Sequence, residues 1–315
     1  MVNCAGYFAS DGGSWLETDE ITSTSLTGTI DVSAGSGGTI TSFIVERLGD
    51  TASGTAGGSG SAADAFWFPV PYWSIDSQDE NYFTITSGNV EIWGASGSGG
   101  VTSGGFTNGT SGNRPVRSGT GLTSQVDFDG TNDRLAVTAG PTTHQSGEFW
   151  IMFNLDALGC TLFSHSGSGG TTHYWDLYVH ANGGIYLYWN AGVPFAVYQL
   201  TTATGVISTG VTYVLRVASN GATMTASLDG VDQTVTMSSG SNTGHWFADL
   251  TGNTFTIGAV TLSSGTAQFT DGKIYQIAYW GSTSTTIPDS RHHVPDQAKH
   301  MKRYLNDRWG ISLPL

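Results

Sequence analysis

Nine short runs between Phe149 and Trp280 alternate apolar with polar residues, and the gaps between them are rich in Gly, Ser and Thr. They are Phe149–Leu155, Thr161–His165, Tyr174–His180, Ile185–Asn190, Val211–Ala218, Thr223–Asp229, Gln233–Met237, Thr254–Ile257 and Ile274–Trp280. A period of two bounded by turn residues specifies strands with one buried face. Asp229-Gly230 stands between two such runs and predicts a hairpin, because both residues tolerate positive φ. Only at the C-terminus does the period change. Val294, Ala298, Met301, Leu305 and Trp309 fall at helical spacing and form one apolar stripe ending at Gly310. Ser290 is placed to cap that helix, and Pro295 suits its first position.

Composition supports a folded all-β chain. Charged residues make up 11% of the 315 and there are 45 glycines, a balance that disordered chains share. The ten Trp, twelve Tyr and fourteen Phe decide against disorder, since such chains lack aromatic groups to bury. The formal net charge of −14 excludes a nucleic-acid partner, which would need clustered Lys and Arg. No apolar run approaches the ~20 residues of a membrane-spanning helix, so no membrane insertion is expected. The opening MVNCAGYFASDGGSW has neither the basic nor the apolar part of a secretory signal. Cys4 and Cys160 have no metal-binding spacing and leave a disulfide open.

Residues 1–66 read separately. Ile21–Val32 and Thr39–Arg47 suit strands, and Thr51–Ala63 is almost wholly Gly, Ser, Ala and Thr, as in a linker or long surface loop. This region is expected to be a small β-type arm or anchoring domain, with the main sandwich over 67–315.

Three stretches of the larger part carry a family likeness. VDFDGTNDRLAV (Val126–Val137) is an alternating strand broken at Asp129-Gly130. PYWSIDSQDENYFTITSGNVEIWGASGSGG has a short strand, an acidic turn, a Trp-bearing strand and a Gly-rich loop. The chain closes with DGKIYQIAYWGS and, after a gap, AKHMKRYLNDRWGI. Together they resemble the concanavalin-like jelly roll of the laminin-G type, in the variety found in bacterial secreted proteins and phage virion proteins. That resemblance implies a two-sheet antiparallel sandwich with one C-terminal helix, used mainly for binding and assembly.

The Tyr174–Asn190 hairpin holds the principal candidate site. With Asn182-Gly183-Gly184 as a three-residue loop, Val179 would oppose Leu187 and Leu177 would oppose Trp189 on an apolar face. The other face would carry Asp176, Tyr178, His180, Tyr186, Tyr188 and Asn190. Tyrosine rings stack on the apolar C–H faces of sugars while Asp, Asn and His take hydroxyls. Burial of the same face against a neighbouring subunit or the terminal helix is the competing expectation. Asp129 and Asp133 in FDGTND could ligate calcium, as carboxylates at strand ends do in related jelly rolls, although Asp-Gly is also an ordinary turn. Asp76, Asp79 and Glu80 form a second acidic turn with the same two readings. His165, His173 and His180, and the pair His292-His293, lack the helical pairing of a zinc enzyme and read as surface or interface residues. Asn108-Gly109-Thr110 matches a glycosylation acceptor without an export signal to accompany it.

No enzyme is expected. Related β-glucan hydrolases carry Glu-x-Asp-x-Glu on one strand, placing acid and nucleophile on one face. The six glutamates here, Glu17, Glu20, Glu46, Glu80, Glu91 and Glu148, never fall in that pattern. A nucleophile elbow and a phosphate loop are also missing from the sequence. The resemblance instead implies a virion structural protein, such as a head decoration, fibre or surface-exposed tail component. It would be made in the host cytoplasm, joined to itself or to other virion subunits by residues 1–66, and able to hold host polysaccharide. A carbohydrate-binding module, or a fragment of a secreted adhesin, is the alternative.

Overall fold

In the computed structural model the chain divides into two units, Met1–Val70 and Pro71–Leu315. The structure describes the backbone of residues 2–4, 6–9, 15–17, 21–23 and 42–45 of the first. In the second it describes 73–79, 82–94, 105–138, 140–166, 173–191, 197–240, 244, 246–250, 254–262, 265–282 and 297–314. The first unit holds five short strands: β1 (Val2–Cys4), β2 (Gly6–Ala9), β3 (Trp15–Glu17), β4 (Ile21–Ser23) and β5 (Ser42–Val45). β1 pairs with β4, and β2 lies between β3 and β5. Thr51–Ala63, read as a linker, lies outside the described residues.

The second unit is an antiparallel two-sheet sandwich. One sheet runs through β10 (Val116–Ser118), β11 (Gln125–Asp129), β25 (Asp271–Ser282), β13 (Ser146–Leu155), β18 (Thr212–Ser219), β19 (Met224–Leu228) and β20 (Val231–Gln233). β6 (Trp73–Asp76) pairs with the second half of β25. The other sheet runs through β9 (Phe106–Thr107), β12 (Leu135–Val137), β22 (Thr254–Ile257), β14 (Cys160–Ser166), β15 (His173–Val179), β16 (Ile185–Ala191), β17 (Val197–Thr201) and β21 (Thr236–Ser239). β8 (Asn89–Trp93) pairs with both β9 and β10, and with β7 (Phe83–Thr86). It therefore joins the two layers at one edge. β23 (Val260–Leu262) and β24 (Gly265–Ala267) form a small hairpin.

Alternation makes the core. Phe149, Ile151 and Phe153 of β13 point inward to meet Phe163, Trp175 and Leu177 of the facing sheet, all fully buried. Phe149 and Phe163 lie 4.6 Å apart between ring centroids. Each such side chain contributes about 1.5–3 kcal/mol by leaving water. Segment FDGTND is a corner between the layers: β11 pairs with β10 and β25, whereas β12 pairs with β22 and β9.

Helix α1 (Gln297–Trp309) packs on the outside of the first sheet. Met301, Leu305 and Trp309, with Leu313 beyond the helix, meet Trp150, Met152, Val214 and Ala278. Polar contacts complete the dock. Trp309 Nε1 donates to Gln276 Oε1 at 2.7 Å, and Arg308 Nε donates to Asp76 Oδ2 at 2.8 Å. Asp76 thus anchors the helix, and Glu80 and Val294 lie outside the described residues. No helix among the described residues is long and apolar enough to cross a membrane.

Candidate functional site

The Tyr174–Asn190 hairpin forms with a register two residues from the expected one. Val179 opposes Ile185, Leu177 opposes Leu187, and Trp175 opposes Trp189. The turn is built on Ala181, Asn182 and Gly183, with Gly183 at φ +75°. Gly183 N donates to His180 O at 2.8 Å, and Asn182 Oδ1 accepts from Gly184 N at 2.9 Å. A shift of two preserves every residue's face. Tyr174, Asp176, Tyr178, Tyr186, Tyr188 and Asn190 therefore share the outer face of the second sheet, and His180 joins them at the hairpin end.

Four rings of that face touch in one cluster. His180 stacks on Tyr186 at 4.7 Å, Tyr186 on Tyr188 at 5.9 Å, and Tyr178 lies 6.1 Å from Tyr188. All four are half-buried, leaving part of each ring to solvent. The turn holds two of them in place: Asn182 N donates to His180 Nδ1 at 3.1 Å, and Asn182 Nδ2 donates to the Tyr186 hydroxyl at 3.2 Å. Burial, with the neighbouring phenols and Asp176, pushes the Tyr188 hydroxyl up to about 12. Burial likewise raises Tyr178. Both phenols are thus hydrogen-bond donors at neutral pH.

Asp176 and Asn190 lie deeper than the sequence suggested. Asp176 is 3% exposed and Asn190 2% exposed, so neither stands free on the surface. Asp176 sits opposite Ser164 on one side and Tyr188 on the other. Thr161 hydrogen-bonds to its carboxyl, and burial pushes its pKa up to about 7 against that bond. Its Oδ1 has no hydrogen-bond partner among the described residues. An unpartnered buried carboxyl oxygen is costly, and an ordered water or a ligand hydroxyl is the group that relieves it.

Tyr174 and Thr161 were not among the predicted site residues. Tyr174 needed only the alternation of β15 carried one step further. Thr161 lies on β14, where a bulge between Thr161 and Phe163 breaks the period that would have assigned its face. The terminal helix, expected as one possible cover for the tyrosines, packs on the opposite sheet.

At the FDGTND corner, Asp129 and Asp133 are close together and committed to the backbone. Asp129 Oδ1 accepts from Thr131 N at 2.9 Å, Asn132 N at 3.1 Å and Asp133 N at 3.2 Å. Asp133 Oδ2 accepts from Asp129 N at 3.1 Å. Those amides hold the Asp129 carboxyl below its ordinary range despite some burial. Burial, then the Asp129 charge, pushes Asp133 up to about 6. Among the described residues no group of three His, Cys, Asp or Glu side chains is placed to hold a metal ion.

The remaining sequence candidates have structural partners. Glu148 Oε2 accepts from Arg216 Nη2 at 2.9 Å and Glu148 Oε1 from Trp150 Nε1, and Glu91 lies 3.4 Å from Arg114. His165 stacks in the core on Phe255 at 4.1 Å. Asn108 donates its side-chain amide to Asn113 O and Arg134 O at 2.6 and 2.8 Å, which leaves its nitrogen unavailable to a glycan. Cys160 is a free, buried thiol that burial pushes up to about 12. The side chain of His173, and His292-His293, lie outside the described residues.

No protein-family model matches the sequence, and no curated protein matches it. Solved structures similar to the chain include Ruminococcus gnavus IT-sialidase CBM40 bound to α2,3-sialyllactose. The TM-score is 0.43 at 14% identity, over 54% of this chain and 95% of that one. Domain 4 of an extracellular arabinanase from Geobacillus stearothermophilus, in complex with arabinotriose, has a TM-score of 0.40 at 13% identity, over 56% and 77% of the two chains. The NanB sialidase from Streptococcus pneumoniae has a TM-score of 0.41 at 15% identity, over 51% of this chain and 26% of that one.

Proposed function

We propose that this protein is a non-catalytic carbohydrate-binding protein whose contact surface is the Tyr178–Tyr186–Tyr188 face of the second sheet. One observation carries the reading: a half-exposed cluster of held rings lies beside Asp176, a buried carboxyl with one oxygen left unpartnered. Stacking of sugar C–H faces on held aromatic rings gains affinity without the entropy cost of ordering those rings. The test is a glycan array followed by calorimetry on the full chain. Tyr178→Ala and Tyr188→Ala should each weaken binding about tenfold or more while the thermal midpoint stays within a few degrees. Equal affinity in both variants and the parent would sink the reading.

A second reading is favoured by the separate N-terminal unit, Met1–Val70. Here the sandwich is displayed on a phage particle and the N-terminal unit attaches it to copies of itself or to other virion subunits. The sequence resemblance to virion proteins supports it. Light scattering on the full chain tests it: a defined oligomer that dissociates when residues 1–66 are removed is expected, and a monomer in both cases rejects it.

A further inference from the structure

We infer that the glycan held on the tyrosine face is uncharged, and that Asp176 accepts one of its hydroxyls; this rests on the carbohydrate-binding reading above. The eight strands of the second sheet contain one Asp, Glu, Lys or Arg between them, and it is Asp176. Across the sheet from it stand Ser164 and Thr256 on one side, then Tyr188 and Gln199 on the other. Thr161, Tyr178, Tyr186 and Thr201 form the adjoining row. Every one of these partners is neutral.

Sialic, uronic and sulfated sugars carry a full negative charge, and sites for them supply Arg or Lys to meet it, with Arg favoured because its planar fork matches the anion. Of the described cations, Arg134 stands just before β12, three strands away from β15, and the others are engaged elsewhere. Arg216 pairs with Glu148, Lys273 with Asp156, Arg308 with Asp76 and Arg114 with Glu91. Arg117 donates to Ser77 O at 3.0 Å, and Lys302 to Gly230 O at 3.2 Å. An anionic sugar placed over the tyrosines would instead approach Asp176, within a protein whose formal net charge is −14. Like charges at such range cost affinity, and no cation on the sheet offsets them.

A neutral sugar fits the same surface. Its apolar face stacks on Tyr178 or Tyr188, the phenols donate to its ring and hydroxyl oxygens, and a hydroxyl donates to Asp176 Oδ1. That last bond gives the orphaned buried oxygen the partner that the protein does not provide.

The experiment uses the full chain against two sets of oligosaccharides. One set is neutral, with gluco-, manno-, galacto-, xylo- and arabino-oligosaccharides. The other is acidic, with sialyllactose, oligogalacturonate and heparin fragments. The ligands found should belong to the neutral set, with affinity changing less than about twofold between ~0.05 and ~0.5 M salt. Asp176→Asn, which keeps shape and replaces the charge, should weaken that binding while Asp176→Ala weakens it further, about tenfold. Preference for the acidic set, or affinity that falls steeply with salt, overturns the inference and leaves the carbohydrate-binding reading standing. Unchanged affinity in Asp176→Ala overturns the role of Asp176. Binding to neither set overturns both readings together.

Discussion

Asp176 is the residue where stability and function compete. A carboxyl held up to about 7 by burial binds its proton more tightly in the folded chain than in the unfolded one, where the ordinary value is near 4. Its contribution to folding is therefore complete below about pH 4 and is lost as pH rises through about 7. Asp176→Asn removes that dependence. In urea titrations the variant should match the parent near pH 4 and exceed it at pH 8 by on the order of 1–3 kcal/mol. A parent that is equally stable at both pH values, with no gain in the variant, would show that water already satisfies the carboxylate. His144 behaves in the opposite sense. Its Nδ1 lies 2.9 Å from the Tyr279 hydroxyl, which also accepts from Trp246 Nε1 at 3.0 Å. Burial pushes the ring down to about 4, so it stays neutral and can accept the tyrosine proton. The stability it confers is complete above about pH 6.5 and is lost as pH falls through about 4.

At the scale of elements, period and turn chemistry made the strands and the helix legible, while pairing partners were not. Asp229 and Gly230 adopt φ of 50° and 79° between Leu228 and Val231, the hairpin their sequence specifies. Two adjacent glycines after Asn182 offered two places for the positive-φ residue, and the register moved by two without turning any side chain to the other face. FDGTND shows where local signals stop: alternation continues on both sides of Asp129-Gly130, so nothing nearby tells that the chain has changed sheets. The stripe of α1 was equally legible, but the sheet it covers was not. Trp309 is 5% exposed, lies 5.6 Å from the Tyr275 ring, and bonds to Gln276, so it is the anchor of that dock. Trp309→Ala should lower stability by about 3–5 kcal/mol. Arg308→Ala should cost less, about 1–3 kcal/mol, chiefly because Asp76 is left buried without its cation. Thermal and urea unfolding of the two variants tests the order, and an Arg308→Ala cost above that of Trp309→Ala would refute it.

For the whole molecule, the face of the candidate site was legible in the alternation of Tyr178, Tyr186 and Tyr188, but its depth was not. Depth depends on β14, the β16–β17 pairing and the bulge beside Thr161, none of which is encoded in the hairpin's own sequence. The same dependence on distant neighbours sets the acid–base behaviour of the sandwich. Burial raises Asp76, Asp133, Asp176 and Asp229, in all four against hydrogen bonds or an ion pair that pull the other way. Asp129, held by backbone amides, moves down instead. Each raised carboxyl favours the folded state more as pH falls, Asp133 and Asp176 between about 7 and 4, and protonation also relieves the repulsion within an acidic chain. His144 opposes them at the lower end of that window. The sum predicts a stability maximum near pH 5, below neutrality, where His144 is still mostly neutral and Asp133 and Asp176 are mostly protonated. Calorimetric midpoints taken at intervals between about pH 3.5 and 8.5 would show it. His144→Gln should extend the maximum to lower pH, and Asp176→Asn should flatten its alkaline side. A midpoint that rises steadily from pH 5 to 8 would mean that the buried carboxyls ionise freely, and the desolvated face around Asp176 would have to be reconsidered as an open, hydrated groove.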